Sequence, residues 1–127
     1  MIDFASFKHI IYTTCRSLDA TPSDWFVPDI TPNFYAVRIA TRDAVFFVLC
    51  NHAGQWAYSR TFEPMRCTLD FVDQPAFSTT LYDLFGLRPL TTAELLADFC
   101  LQPELSVADV RYWKPQTVGD ALFHWWD

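Results

Sequence analysis

Histidine and carboxylate side chains near the C-terminus could support proton transfer or metal binding. His124 lies four residues after Asp120 and three before Asp127, so on a helix the three side chains would share one face. Pairs at this spacing are also common on solvated helix surfaces, where each contributes about 0.2–0.5 kcal/mol. We therefore favour a polar helix face, with His124 as one candidate residue for an alternative enzymatic function.

Cys50 and His52 are the one close pair of a cysteine and a histidine. A nucleophilic thiol would also need a group that orients the histidine, and the sequence does not identify that group. A strand end followed by a turn is the better interpretation of this segment. The cysteines lie far apart among apolar neighbours without a CxxC motif, which predicts buried free thiols. They are Cys15, Cys50, Cys67 and Cys100.

Two pairs of carboxylates lie close together in sequence: Asp70 with Asp73, and Glu94 with Asp98. Acid–base catalysis needs carboxyl groups in different environments. Spacing alone does not reveal such a difference, and solvated pairs are frequent. We therefore interpret both pairs as surface charges.

Trp56 and Tyr58 would share one face of a strand and could stack on nucleic-acid bases. No basic cluster accompanies them, so packing within the sheet is the better interpretation. The chain also lacks a phosphate-binding loop and a dinucleotide fingerprint, and it has only three glycines. We predict no cofactor, no metal and no nucleic-acid ligand.

The elements that position these residues fit one domain spanning residues 1–127. The composition is 51% hydrophobic and 17% aromatic, which indicates a globular chain with a large core. No apolar run approaches the ~20 residues of a membrane helix, and the N-terminus does not resemble a signal peptide. These features predict a cytoplasmic protein without membrane association.

The negative charge is concentrated in residues 63–109, which we call the acidic segment. It carries eight acids and two bases, and this difference accounts for the whole net charge of −6. Such a segment repels nucleic acid and anionic membranes and attracts a basic surface. Solubility is the alternative reason for the charge.

The hydrophobic periodicity predicts an α+β fold that begins with a helix over residues 3–18, capped near Asp3. The proline-containing residues 19–33 are predicted to be a loop with a short turn. A change of period then indicates a four-stranded antiparallel meander over residues 34–41, 44–51, 55–62 and 66–72. The second strand is apolar on both faces and should lie in the middle, covered on each side. Residues 107–113 could add a fifth strand or a short helix.

Two or three helices should follow the sheet. Residues 77–85 have Ser78 as a possible N-cap and Gly86 as a left-handed C-cap. Thr91 and Glu94 form a capping box that opens a helix over residues 95–101. Thr117, with Asp120, should cap a closing helix, whose apolar stripe is Val118, Ala121, Leu122 and Trp125.

The closing residues 112–127, YWKPQTVGDALFHWWD, carry a resemblance to a known group of proteins. The pattern of Tyr112, Trp113, Pro115, Thr117–Asp120, Leu122, Phe123, Trp126 and Asp127 resembles the ending of small bacterial immunity proteins. These neutralise toxins of contact-dependent growth inhibition and related polymorphic systems. The resemblance implies a cytoplasmic inhibitor that binds the C-terminal domain of its toxin, often a nuclease. It implies no catalytic residue.

Our leading hypothesis is an immunity protein that binds a basic toxin domain through the acidic segment. The predicted contacts are surface carboxylates and two aromatic anchors: Glu63, Asp70, Asp73, Asp83, Glu94, Asp98, Trp56 and Tyr82. The first alternative is a small hydrolase-like enzyme using His52 or His124 with a nearby carboxylate. The second is a subunit of a larger assembly, although a monomer is favoured.

Overall fold

A five-stranded antiparallel sheet is the centre of the fold, with helices before and after it along the chain. The structure is a computed structural model that describes residues 2–29, 32–64, 69–97 and 117–124. The elements in chain order are α1 (Phe4–Leu18), β1 (Thr21–Phe26), β2 (Phe34–Ala40), β3 (Val45–Asn51), β4 (Trp56–Ser59), β5 (Phe71–Val72), α2 (Pro75–Phe85), α3 (Thr92–Leu95) and α4 (Val118–Leu122). The predicted α+β class with an N-terminal helix is confirmed.

The strand β3 lies in the middle of the sheet, as its apolar sequence predicts. It pairs with β2 along all seven of its residues and with β4 on its other side. Phe46 and Val48 belong to an apolar cluster on one face of the sheet, whereas Leu49 belongs to a cluster on the other. Both faces are therefore covered, which the sequence also predicts.

The strand β1 occupies a segment predicted to be a loop, so that prediction is wrong. β1 is an edge strand paired with β2, where Pro22 is tolerated because its missing N–H can face away from the partner. The register shifts between Ser23 and Phe26, and Asp24 within this bulge has a left-handed φ of 52°. Aspartate adopts that conformation more readily than most residues. The bulge and the proline let a polar segment join the sheet while making its edge a poor template for another chain.

The last predicted strand, residues 66–72, is described only at its end. There Phe71 and Val72 pair with Ser59 and Tyr58 of β4. Residues 65–68 lie outside the described residues, as do residues 107–113, the candidate additional strand. The fifth strand that the structure does describe is β1, at the N-terminal edge of the sheet.

Helices α1 and α2 cover one face of the sheet. Phe7 of α1 is fully buried and stacks on Tyr35 and Trp56, with ring centroids 5.5 Å apart in both pairs. The hydroxyl groups of Tyr58 in β4 and Ser78 in α2 lie 2.8 Å apart and share a hydrogen bond. Aromatic packing and a partly buried hydrogen bond thus hold the helices on the sheet.

Helices α3 and α4 cover the opposite face. Phe34 and Phe123 meet edge to face there, with centroids 5.7 Å apart, and Leu95 of α3 is fully buried. Gly119 brings the α4 backbone against this layer. A Cβ at Gly119 would lie 2.5 Å from the Phe71 ring and 3.1 Å from the Leu95 carbonyl oxygen. Close packing, not backbone freedom, therefore explains this glycine.

Several predicted helix starts are confirmed by their hydrogen bonds. The Asp3 carboxylate accepts the N–H three residues later at 2.8 Å and caps α1. Reciprocal capping boxes join Thr91 with Glu94 at α3, and Thr117 with Asp120 at α4. α3 begins earlier than predicted, and the predicted continuation over residues 98–101 lies outside the described residues.

The predicted cap of α2 is wrong at its start and confirmed at its end. Gln74 is the N-cap residue, and Pro75 is the first residue of the helix. Proline suits this position because the first N–H of a helix has no partner within it. Ser78 instead lies inside the helix, where its hydroxyl meets Tyr58. Gly86 closes α2 with a φ of 69°, as predicted.

The closing helix α4 is shorter than predicted. Its C-cap residue, Phe123, has extended backbone angles, so the helix does not reach His124. The predicted helix face that His124 would share with Asp120 is therefore not formed. Trp125 and Asp127 lie outside the described residues.

Two asparagines fix the end of α4 to the sheet. The side-chain amides of Asn33 and Asn51 both donate to the Leu122 carbonyl, at 2.9 and 3.0 Å. Asn33 also accepts the N–H of His124 at 2.8 Å through its side-chain oxygen. Asn51 is 2% exposed, and its side-chain oxygen accepts the N–H of Gln55 at 2.9 Å. The end of β3, the following turn and the closing segment thus share one polar network.

Gly119→Ala should destabilise the fold by about 1–3 kcal/mol, although alanine normally favours helices. The added methyl group would overlap the Phe71 ring. Urea unfolding of Gly119→Ala, Phe71→Leu and the double variant would measure the free energies. We expect a smaller effect of the alanine in the Phe71→Leu background, where the ring is absent. An equal effect in both backgrounds would contradict a steric origin.

Asn51→Asp should destabilise more than Asn51→Ala, which we expect to lose about 1–3 kcal/mol of unfolding free energy. A carboxylate would place negative charge against the Leu122 carbonyl and lose the donor that bonds it. Burial should raise the pKa of this introduced carboxyl group. The aspartate variant should therefore regain stability as the pH falls and its carboxyl group binds a proton. Unfolding measured at pH 4 and pH 7 that shows no such recovery would contradict the assignment.

Candidate acidic interaction surface

The described carboxylates of the acidic segment are all exposed. They are Glu63, Asp70, Asp73, Asp83 and Glu94. Asp98 lies outside the described residues. Arg88 is the one basic residue in the described part of this segment. The described part of the acidic segment therefore carries five exposed carboxylates and one exposed guanidinium group.

Asp70 is attached to β4 through its backbone. Its N–H donates to the Ser59 hydroxyl at 3.0 Å, and its carbonyl accepts the Arg60 N–H at 2.8 Å. The Asp70 carboxylate also lies 3.4 Å from the Arg60 guanidinium, but the two side chains are 54% and 70% exposed. Solvent screening makes such a pair weak. Asp70 therefore remains a surface charge with a well-defined backbone position.

Asp73 and Glu94 are held at the start of α3. Asp73 accepts the N–H and the hydroxyl hydrogen of Thr92, both at 2.9 Å, through its two carboxylate oxygens. One oxygen of Glu94 accepts the N–H of Thr91 at 3.0 Å and lies 3.1 Å from its hydroxyl oxygen. The interpretation as solvated surface pairs is therefore incomplete for these two residues. The structure brings Asp73 and Glu94 to neighbouring amides although 20 residues separate them in sequence.

The two predicted aromatic anchors have different surroundings. Tyr82 is 49% exposed on α2, as a surface anchor requires. Trp56 is 3% exposed and stacked on Phe7, so the prediction that it is an exposed anchor is wrong. Trp56 lies opposite Cys50 in the pairing of β4 with β3, and both residues belong to the core cluster beneath α1. Alternation along β4 thus places its large side chains in the core.

A groove of about 550 Å³ lies between α2 and α3, and we call it the α2/α3 groove. Tyr82 and Glu94, both predicted contacts, are among the residues that line it. The guanidinium carbon of Arg88 lies 4.8 Å from the centre of the Tyr82 ring, a cation–π geometry. The remaining lining residues are Ser78, Thr79, Leu87, Pro89, Leu90 and Thr91. Sequence reasoning missed the groove, because no local pattern shows how α2, the loop after it and α3 are placed relative to one another.

A second groove, of about 520 Å³, lies between the end of α1, the β2–β3 turn and the start of α2. Its charged lining residues are Asp19, Arg42 and Asp43, so both signs are present. None of the predicted contacts lines it. This groove has no feature that links it to the acidic segment.

The histidines of the enzymatic alternative line neither groove. The N–H of His52 donates to the Asn33 carbonyl at 3.0 Å, and its ring lies 5.3 Å from the Tyr35 ring. Burial raises the pKa of the neighbouring Cys50 thiol to about 12. A thiol with that pKa is almost entirely protonated at neutral pH and is a poor nucleophile. The described residues therefore give no support to a Cys50–His52 site.

The described residues contain no group of three or more histidine, cysteine, aspartate or glutamate side chains placed to hold a metal ion. Within the same ranges, none of the helices has the length and apolar character needed to cross a membrane. A scan against models of protein families, a search of curated proteins and a search of solved structures each found no match. The candidate site is therefore defined by its geometry and charge alone.

Cys15 and Cys50 should resist alkylation in the folded protein at pH 8. Burial raises the pKa of their thiols to about 11 and about 12, above the usual 9.0. Because the folded state holds these protons more tightly, its stability should also fall as the pH rises above about 9. Iodoacetamide labelling with peptide mass spectrometry, in buffer and in urea, would measure the protection. Rapid native labelling of both residues would contradict it.

Proposed function

We propose that this protein is a cytoplasmic immunity protein that binds and blocks a basic toxin domain. The observation that carries this proposal is the exposure of all five described carboxylates of the acidic segment. A surface of one sign attracts a partner of the opposite sign, accelerates association and disfavours partners with the same charge. The resemblance of the closing residues to immunity proteins supports the same function.

The hydrogen bonds of Asp73 and Glu94 also support a binding function. Each carboxylate already has a fixed position, at the N–H groups of Thr92 and Thr91 respectively. An ordered side chain loses less conformational entropy when a partner binds than a freely rotating one does. These two carboxylates are thus better prepared to meet a positive charge than flexible surface acids are.

Isolation of the protein from its native host with a tightly bound partner would provide the first test. The partner should be identified by mass spectrometry and then produced separately for binding and toxicity measurements. We expect a basic domain that arrests growth when expressed alone and is neutralised by co-expression with this protein. A bound partner without toxicity, or a toxic domain that is not neutralised, would contradict the immunity function.

The acidic segment should determine the association rate with that toxin domain. Glu63→Gln, Asp70→Asn and Asp83→Asn, combined in one variant, remove three exposed charges without disturbing the caps of α3. The matched control combines Asp19→Asn, Asp29→Asn and Asp43→Asn, which removes three exposed charges outside the segment. Association rates should be measured by stopped flow at about 20 and 500 mM salt, where charge screening differs strongly.

We expect the first triple variant to associate about tenfold more slowly at low salt, with a much smaller effect in the control. The difference should shrink at high salt, because screening weakens attraction between exposed charges. Equal rates for the two triple variants would show that net charge, and not the acidic segment, governs association.

A further inference from the structure

We propose that the α2/α3 groove receives an arginine side chain of the partner, with the guanidinium group against Glu94 and the stem along the apolar wall. This inference rests on the proposed function and assigns a specific contact to it. The groove combines recessed volume, an exposed aromatic ring and a positioned carboxylate.

The apolar wall suits the methylene stem of a long basic side chain. Leu87, Pro89 and Leu90 line the groove beside Tyr82, whose ring is half exposed. A volume of about 550 Å³ accommodates an arginine side chain together with neighbouring partner atoms. Arginine buries its stem along apolar surfaces while its charged group stays with polar partners.

Glu94 provides the complementary charge. Its carboxylate is oriented by Thr91, and Asp73 adds a second negative charge at the adjacent amide of Thr92. Arg88 is the one basic residue among those lining the groove, and its guanidinium group is positioned over the Tyr82 ring. Glu94 and Asp73 therefore supply negative charge at the start of α3, and the one basic residue that lines the groove already has an aromatic partner.

Arginine fits this arrangement better than lysine. A guanidinium group can bond a carboxylate through two parallel N–H donors and can also stack on an aromatic ring. The Tyr82 ring already binds one planar cation, Arg88, and it remains 49% exposed for a second contact. A lysine ammonium would keep the charge attraction and lose the planar contact.

The first experiment uses N-acetyl-arginine amide as the probe, with N-acetyl-citrulline amide as its neutral analogue. Both are titrated into the ¹⁵N-labelled protein while the Thr91 amide and the Tyr82 ring signals are followed by NMR. Tyr82→Phe assigns the ring signals. Arginine amide should give saturable shifts at both residues, and citrulline amide should bind at least about fivefold more weakly.

Glu94→Gln is the decisive variant, because glutamine can maintain the capping box while removing the charge. Asp43→Asn is the matched control, since it removes an exposed carboxylate far along the chain from the groove. Glu94→Gln should weaken the arginine probe at least about fivefold, and the control should not. No saturable shift at Tyr82 and Thr91, or equal affinity in Glu94→Gln, would overturn the proposal.

The second experiment measures the affinity of the isolated toxin domain for the same variants. A loss on the order of tenfold in Glu94→Gln, without a loss in Asp43→Asn, supports the contact. An unchanged toxin affinity in Glu94→Gln overturns the groove assignment and leaves the immunity function intact. Failure of the wild-type protein to neutralise its partner contradicts the proposed function itself, so the two failures are distinguishable.

Discussion

The fold depends on the burial of β3 on both of its faces. Alternating residues of this strand belong to two separate apolar clusters, with Val48 in one and Leu49 in the other, and both are fully buried. Burial of a large aliphatic side chain contributes about 1.5–3 kcal/mol relative to exposure, so neither face can remain open to water. Elements from both ends of the chain must therefore pack on the sheet. The helices that carry the candidate site are positioned by this requirement.

Residues 117–124 help to cover the second face of the sheet, and they are held there by polar contacts as well as apolar ones. Leu122 and Phe123 bury their side chains against the second face, while the Leu122 carbonyl accepts two asparagine amides. A buried carbonyl without a donor would be destabilising by about 1–3 kcal/mol. Asn33 and Asn51 therefore stabilise the end of α4 at Leu122 by donating hydrogen bonds to its carbonyl group. Residues 117–124 therefore have a structural role in closing the second face of the sheet.

Local signals in the sequence predicted the N-caps of α1, α3 and α4 and the central strand, but not the start of α2. The capping boxes of Thr91 with Glu94 and of Thr117 with Asp120 each join residues that are three positions apart. The strand β3 is recognisable in the sequence as a continuous apolar run. The strand β1 could not be predicted in the same way, because Pro22 and the left-handed Asp24 are acceptable only at a bulged sheet edge. The burial of Trp56 depends on which face of β4 meets α1, a choice made by long-range packing. The α2/α3 groove has the same origin: its lining residues lie between Ser78 and Glu94, but its shape depends on how α2 and α3 are placed on the sheet.

Two carboxylates of the acidic segment contribute both to the stability of α3 and to the negative charge of the surface. Asp73 and Glu94 stabilise the start of α3 as hydrogen-bond acceptors, and the same bonds hold their exposed carboxylates in place. A substitution that removes the acceptor would disturb both roles, whereas an amide side chain keeps an acceptor and loses only the charge. The position of α3 in turn depends on Leu95, which is fully buried against the second face of the sheet. The charge pattern of the surface is thus a consequence of the core, because the packing that buries Leu95 also places α3, with Glu94, in the groove that Tyr82 lines.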